Sequence, residues 1–205
     1  MSLSRYLLPP LCVVCRGVCE PDSTLCEDCR FELDASGPLR DDPPPGIDEI
    51  VAVTSHDGVG RDLLAAYKFR GQFRLGQFIG ARMAEGVADD LSPMQFVTPV
   101  PAVPLRSRLR GYDTAYDLSR HIAGMLGQAW ILGPIERIGH GRQRGRDRSG
   151  RLGDPPKIRS RHSSPEEVLL VDDVTTTGAT LSACASALRT GGAKRIFAVT
   201  FTKRI

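Results

Sequence analysis

The stretch from Val168 to Leu181, VLLVDDVTTTGATL, limits the fold of this chain more tightly than any other. Four apolar residues running into two aspartates predict a central parallel strand, buried on both faces and delivering its acids to a sheet edge. Leu181, Cys184, Ala185 and Leu188 then fall at helical spacing until Gly191 and Gly192 stop the pattern. Between strand and helix lies the turn Thr175-Thr176-Thr177-Gly178. The first amides of a helix have no partner within it, and the helix dipole adds partial positive charge, so this turn suits an anion. Three hydroxyls add donors, and Gly178 permits close approach of a phosphate to the backbone. Two carboxylates beside such a cradle would repel the anion unless they face something else. Ribose hydroxyls, which donate to carboxylates, are the natural partner, and phosphate plus ribose makes a phosphoribosyl group. No Gly-Lys-Ser/Thr follows the glycine, which disfavours a Walker-type nucleotide loop. The competing reading is a strand, an acidic turn and a capped helix without a ligand.

Strand and helix alternate along most of the chain. Ile50 to Thr54 predicts a strand, Asp62 to Phe69 a helix closed by Gly71, and Leu75, Phe78, Ile79, Met83 and Val87 the buried face of a second helix. Gln95 to Pro101 is β-like and leads into an arginine-studded loop. Asp113 can then cap a helix carrying Ala115, Leu118, Ile122 and Met125 inward. Ala129 to Ile138 has room for another strand, and Ile196 to Phe201 reads as the last. This order predicts an α/β fold, a doubly wound parallel sheet with ligands at the carboxyl ends of its strands. Gly139 to Ser164 has no hydrophobic period and reads as a lid or a structureless segment. Nine Lys or Arg against two Asp fall between Arg137 and Arg161, although the whole chain carries only +3. This local basic charge points to phosphate-bearing ligands, or to the solvation of a loop.

Five of six cysteines fall between Cys12 and Cys29. Cys12-x2-Cys15 and Cys26-x2-Cys29 supply four thiolates for a tetrahedral structural Zn²⁺, while Cys19 is a spare that could substitute as a ligand. Cys184 sits on an apolar helical face and reads as core. Prolines and acids in Ser36 to Gly46 cannot continue a helix or a central strand. The expected organisation is therefore a zinc module over residues 1–35, a linker over 36–46 and the α/β domain over 47–205. Met1 to Leu11 carries one Arg and is interrupted by Pro9 and Pro10, which predicts neither a signal peptide nor a membrane anchor, and hence a cytoplasmic protein.

The acidic pair followed by Thr-Thr-Gly-x-Thr resembles the signature of the type I phosphoribosyltransferases. That resemblance implies a parallel sheet flanked by helices and makes Asp172 and Asp173 the catalytic pair on the 2′ and 3′ hydroxyls. It places Thr176, Thr177, Gly178, Ala179 and Thr180 on the 5′-phosphate, and Val174 and Thr175 in the same substrate-binding run. With the cysteine module, the resemblance narrows to the ComF (ComFC, GntX-like) family of competence-associated, phosphoribosyltransferase-like proteins. Tyr67-Lys68-Phe69-Arg70-Gly71 is similar to its L-K-F-x-G, Thr98-Pro99-Val100-Pro101 to its V-P-V-P, and Arg106-x-Arg108-x-Arg110-Gly111-Tyr112-Asp113 to its R-x-R-x-R-G-F-N. The chain departs in the long loop, where Gln143, Arg144 and Arg148 only loosely match the family's Gln, Arg and Asn.

Arg106, Arg108 and Arg110 follow a strand end and could meet a pyrophosphate, or form a solvated basic turn. Lys68 could reach a phosphate, or serve as a dipole partner in the last turn of its helix. The family implies binding of 5-phosphoribosyl 1-pyrophosphate with Mg²⁺, transfer to an unknown acceptor, and a link to DNA uptake in natural transformation. The competing alternative is non-catalytic, a sensor of that donor or, as the family implies, a competence factor that handles single-stranded DNA.

Overall fold

A computed structural model of the chain describes residues 10–88, 96–104, 107–108, 111–138 and 156–204. Five strands form one all-parallel sheet: β1 (Glu49–Ser55), β2 (Phe96–Pro99), β3 (Ala129–Trp130), β6 (Glu167–Thr175) and β7 (Arg195–Lys203). Their order is β1-β7-β6-β2-β3. The chain leaves β6 through α5 (Ala179–Thr190) to reach β7 on one side. It leaves β2 through α4 (Thr114–Leu126) to reach β3 on the other. Right-handed crossovers running in opposite directions put those helices on opposite faces and open a crevice between the carboxyl ends of β2 and β6.

Strand alternation builds a core on each face. Leu169 and Val171 of β6 pack with Phe197, Val199 and Phe201 of β7 against α2 (Gly58–Phe69), α3 (Leu75–Val87) and α4. Val168 and Leu170 pack on the other face with Leu181, Cys184, Ala185 and Leu188 of α5, the apolar positions expected from their spacing. Helix α2 begins at Gly58, a turn earlier than Asp62. Gly60 allows this because a Cβ there would lie 2.6 Å from the Ser55 carbonyl oxygen at the end of β1. Gly71 ends it at φ +68°, a conformation that L side chains avoid.

Two expectations are corrected. Met125 is 54% exposed, because the buried stripe of α4 ends at Ala123 and the helix runs past its neighbours. Gly139 to Ser164 is not free of structure: β5 (Ile158–Ser160) pairs antiparallel with β4 (Ile135–Arg137), and Ile158 packs on the α5 core. Too short to declare a period, that strand is held by its partner. Residues 139–155, including Gln143, Arg144 and Arg148, lie outside the described residues.

The N-terminal segment packs into the sheet domain. Leu25, Cys29 and Leu33, the last two on α1 (Glu27–Ala35), share one apolar cluster with α2 and α3. The Leu39 amide donates to the Ala52 carbonyl (2.8 Å) and the Ala52 amide donates back (3.0 Å), which covers the free edge of β1. Among the described residues, no helix is long and apolar enough to cross a membrane.

Candidate functional site

Asp172 and Asp173 are the sixth and seventh residues of β6, so alternation sends their side chains to opposite faces of the sheet. Asp173, buried, accepts a hydrogen bond from the Thr114 hydroxyl at the start of α4. Its other oxygen lies 2.6 Å from the Lys68 ammonium, in a pair only 11–12% exposed at the side chains. Asp172 turns toward α5, half-buried, and accepts from the Asp173 amide at 2.8 Å. Burial, then the Asp173 charge, raises its carboxyl from 3.8 to about 8, although the Asp173 amide and Lys68 pull the other way. The strand thus presents one paired carboxylate and one that holds its proton near neutral pH.

Lys68 owes its position to the end of α2. Tyr67, wholly buried, donates to Asp117 of α4 at 2.6 Å, and the Tyr112 hydroxyl donates to the Tyr67 carbonyl. These anchors hold the last turn of α2 against the mouth of the crevice. Because Asp173 and Lys68 shed most of their water together, Lys68→Met leaves a buried carboxylate unpaired. A loss of about 3 kcal/mol or more in a urea unfolding experiment is expected.

After β6 the chain passes Thr176 and Thr177, both exposed, and enters α5 at Gly178, φ +73°. The Thr177 hydroxyl accepts from the Ala179 amide at 3.4 Å, a long contact that leaves the oxygen available. Thr176 and Thr180 line a cavity of ≈ 480 Å³ together with Asp172, Asp173, Thr114 and Val100 to Val103 after β2. Thr175 is different: its side chain is buried in the strand, and its carbonyl accepts from the Arg204 amide at 3.0 Å. Gly178 also has a neighbour that the sequence did not disclose. A Cβ there would lie 2.5 Å from Cγ of Pro44, so the segment before β1 packs directly on the turn. Nearby, Asp41 pairs with Lys203, and Arg189 of α5 holds the Gly46 carbonyl (3.0 Å) and the Asp48 carboxylate (2.9 Å).

A second cavity, ≈ 670 Å³, adjoins the first and shares Lys68, Tyr112, Val174 and Thr176 with it. Val174 lines both and packs against the apolar cluster shared with α2 and α3. Arg108 is exposed and lines neither cavity. Arg106 and Arg110 lie outside the described residues. Thr114 and Arg137, which also lines the smaller cavity, gave no signal in the sequence. Thr114 stands one residue after the cap Asp113 in an ordinary helix start, and Arg137 is one of nine basic residues in its segment.

In the N-terminal segment, the sulfurs of Cys12, Cys15, Cys26 and Cys29 all lie within 4.8 Å of one another. The Gly17 amide points at the Cys15 sulfur (3.4 Å), made possible by Arg16 at φ +65°. Burial opposes ionisation of Cys12, but amide hydrogens of Cys26, Cys15 and Val14 lower its thiol to about 6. Burial first, then the adjoining thiols, pushes Cys29 up. Four sulfurs this close cannot all ionise without a cation, and an all-thiolate set suits Zn²⁺. Cys19 stands outside the cluster, buried, with its sulfur 4.0 Å from the Gly17 carbonyl. Cys184 is buried under the sheet.

Parallel sheet, acidic pair at the end of its central strand, threonine-rich entry into a helix and converging cysteines together make an α/β protein with an N-terminal four-cysteine cluster. The chain is similar to competence protein ComFC of Streptococcus pneumoniae, 28% identical over 85% of this chain and 73% of that one. It is also similar to competence protein F of Haemophilus influenzae, 29% identical over 74% of this chain and 71% of that one. No family model matches it. Among solved structures, a purine phosphoribosyltransferase from Pyrococcus horikoshii aligns with 65% of this chain and 85% of its own, at 16% identity and a TM-score of 0.44.

Proposed function

We propose that the protein binds 5-phosphoribosyl 1-pyrophosphate in the cavity between β2 and β6 and transfers its phosphoribosyl group to an acceptor, in a role linked to DNA uptake. The observation that carries this reading is the meeting of Asp172, Asp173, Thr176 and Thr180 in one cavity at the switch point of a parallel sheet. Thr176, Thr177, Thr180 and the backbone amides at the start of α5, of which only a long 3.4 Å contact ties the Ala179 amide to Thr177, receive the 5′-phosphate. Asp172, once ionised, accepts from ribose hydroxyls. Asp173 reaches the sugar from a place fixed by Lys68 and Thr114. Arg106, Arg108 and Arg110 belong to the segment after β2 and are proposed to meet the pyrophosphate. Mg²⁺, which favours phosphate oxygens and few protein ligands, would be held by the Asp172 carboxylate together with the donor and would supply neutralisation of the pyrophosphate charge.

In the transfer, an acceptor nitrogen gives its lone pair to ribose C1 while the C1–O bond breaks and its electrons leave with pyrophosphate. Any proton on that nitrogen passes to solvent. The chain's part is to hold both ends of the sugar so that C1 meets the acceptor. The four cysteines are proposed to hold one structural Zn²⁺, for which their donor set is suited. The names of the two competence relatives support the link to natural transformation. Pyrophosphate release from the donor, measured across a panel of bases and amines, tests catalysis. Turnover with an acceptor is expected. Donor binding without turnover with any acceptor would instead favour a sensor or a DNA-handling factor.

A further inference from the structure

The two cavities differ sharply in charge. Asp113, Asp172 and Asp173 line the smaller one, whereas among the described residues no carboxylate lines the ≈ 670 Å³ cavity. His56, Arg61, Lys68 and Arg204 converge on it from β1, α2 and the end of β7. Its apolar wall includes Leu64, Ala65 and the ring of Phe73, which is 59% exposed. Phe73 meets Tyr112 edge to face, centroids 5.0 Å apart, and Tyr112 meets Tyr67 at 5.4 Å. An open aromatic face offers a flat ring a place to stack.

The cations act together on His56. Burial first, then Arg204, Lys68 and Arg61, keeps its imidazole below the usual histidine range, and Nδ1 is engaged with the Thr202 hydroxyl at 2.8 Å. Lys68 is already matched by Asp173, and Arg61 lies 3.1 Å from Asp62 at the surface. Arg204 is exposed beside the cavity, with its backbone amide fixed on Thr175. A wall that combines an aromatic surface with guanidinium groups is suited to a ring bearing a carboxylate, which Arg grips with paired donors.

We propose that this second cavity is the acceptor subsite and that its ligand is a planar aromatic acid carrying a ring or amino nitrogen. The shared wall of Tyr112, Val174 and Thr176 sets that nitrogen beside the sugar held in the first cavity. The volume lies within the range of small-ligand sites, about 300 to 1,000 Å³. Phe73 supplies the stacking face, and Arg61 with Arg204 selects the carboxylate. The proposal rests on donor binding in the adjoining cavity for its meaning as an acceptor site, but ring binding is measurable without the donor.

The test uses matched pairs on the full-length, zinc-loaded protein: anthranilate against aniline, and nicotinate against nicotinamide, by ligand-observed NMR titration. The acids should bind about tenfold or more tightly than their neutral partners, the effect of one or two charge-assisted hydrogen bonds. R61Q/R204Q should abolish that preference while leaving affinity for 5-phosphoribosyl 1-pyrophosphate within about twofold, a change too small for a lost contact. Phe73→Leu should weaken acid and neutral ring alike. Equal binding of acids and neutral rings, or an acid preference that survives R61Q/R204Q, overturns the proposal. So does a fall in inorganic pyrophosphate affinity in that variant with displacement of anthranilate by pyrophosphate, which would assign the cavity to the leaving group. Loss of donor binding with acid binding intact would refute the transferase reading alone, and the reverse would refute only the subsite.

Discussion

Asp172→Asn is expected to make the protein more stable at alkaline pH and, at the same time, to remove most of its affinity for the phosphoribosyl donor. Burial and the Asp173 charge raise the folded-state carboxyl to about 8, against an ordinary 3.8. Between those values the folded chain keeps a proton that the unfolded chain releases. The contribution of this group to stability is therefore fully present below about pH 4 and is lost as pH rises through about 8. Asparagine does not titrate, and its carbonyl can still accept from the Asp173 amide. Near pH 8 the variant should exceed the wild type by a few kcal/mol at most, seen as a melting temperature several degrees higher. Near pH 4 the two should coincide. Donor binding moves the opposite way. Ribose hydroxyls need an ionised acceptor, and each charge-assisted bond lost costs about 1.5 to 3 kcal/mol, so affinity should fall roughly 10- to 100-fold. A carboxylate placed only for structure would not couple a gain in stability to a loss of binding.

The second large effect concerns the cysteine cluster. Cys29→Ser should strip about one equivalent of zinc from the purified protein and lower the melting temperature by roughly 10 °C or more, because metal-binding energy is folding energy in such modules. The loss should spread beyond the module. Cys29, Leu25 and Leu33 share a core with α2 and α3, so a loosened α1 exposes the apolar face beneath it. Cys19→Ala is the control: its sulfur stands outside the cluster, so metal content should be unchanged while stability falls only by the cost of a small core cavity. Full metal content and an unaltered melting temperature in Cys29→Ser would show that the four sulfurs meet without binding an ion.

Much of this architecture was legible because local patterns and tertiary context agree. Val168 to Val171 reads as a buried strand since both its faces are covered, and the spacing of Leu181, Cys184, Ala185 and Leu188 marks the helix that covers one of them. The cysteine spacing announced a cluster whose sulfurs do converge. What escaped reading depends on partners remote in sequence. Lys68 meets Asp173 across 105 positions, Thr114 reaches the same carboxylate from another helix, and Pro44 covers Gly178 from a segment that looks like a spacer. Strand β5, with three residues, is too short to carry a period and exists through its pairing with β4. The opposed directions of Asp172 and Asp173 follow from simple alternation, yet the raised carboxyl of Asp172 arises only when the surrounding burial and charges are in place.

The β2–β6 cavity is proposed to bind a phosphoribosyl donor through an ionised Asp172. Calorimetric titration of wild type and Asp172→Asn with 5-phosphoribosyl 1-pyrophosphate and Mg²⁺, at about pH 6 and about pH 8, tests it most directly. If a proton must leave Asp172 on binding, wild-type affinity should rise by up to about tenfold per pH unit across this interval, beyond the small change from the donor's own titration, whereas the variant should bind weakly and show only that residual change. Absence of saturable binding to the wild type, or equal affinity and equal pH dependence in the two proteins, would contradict it.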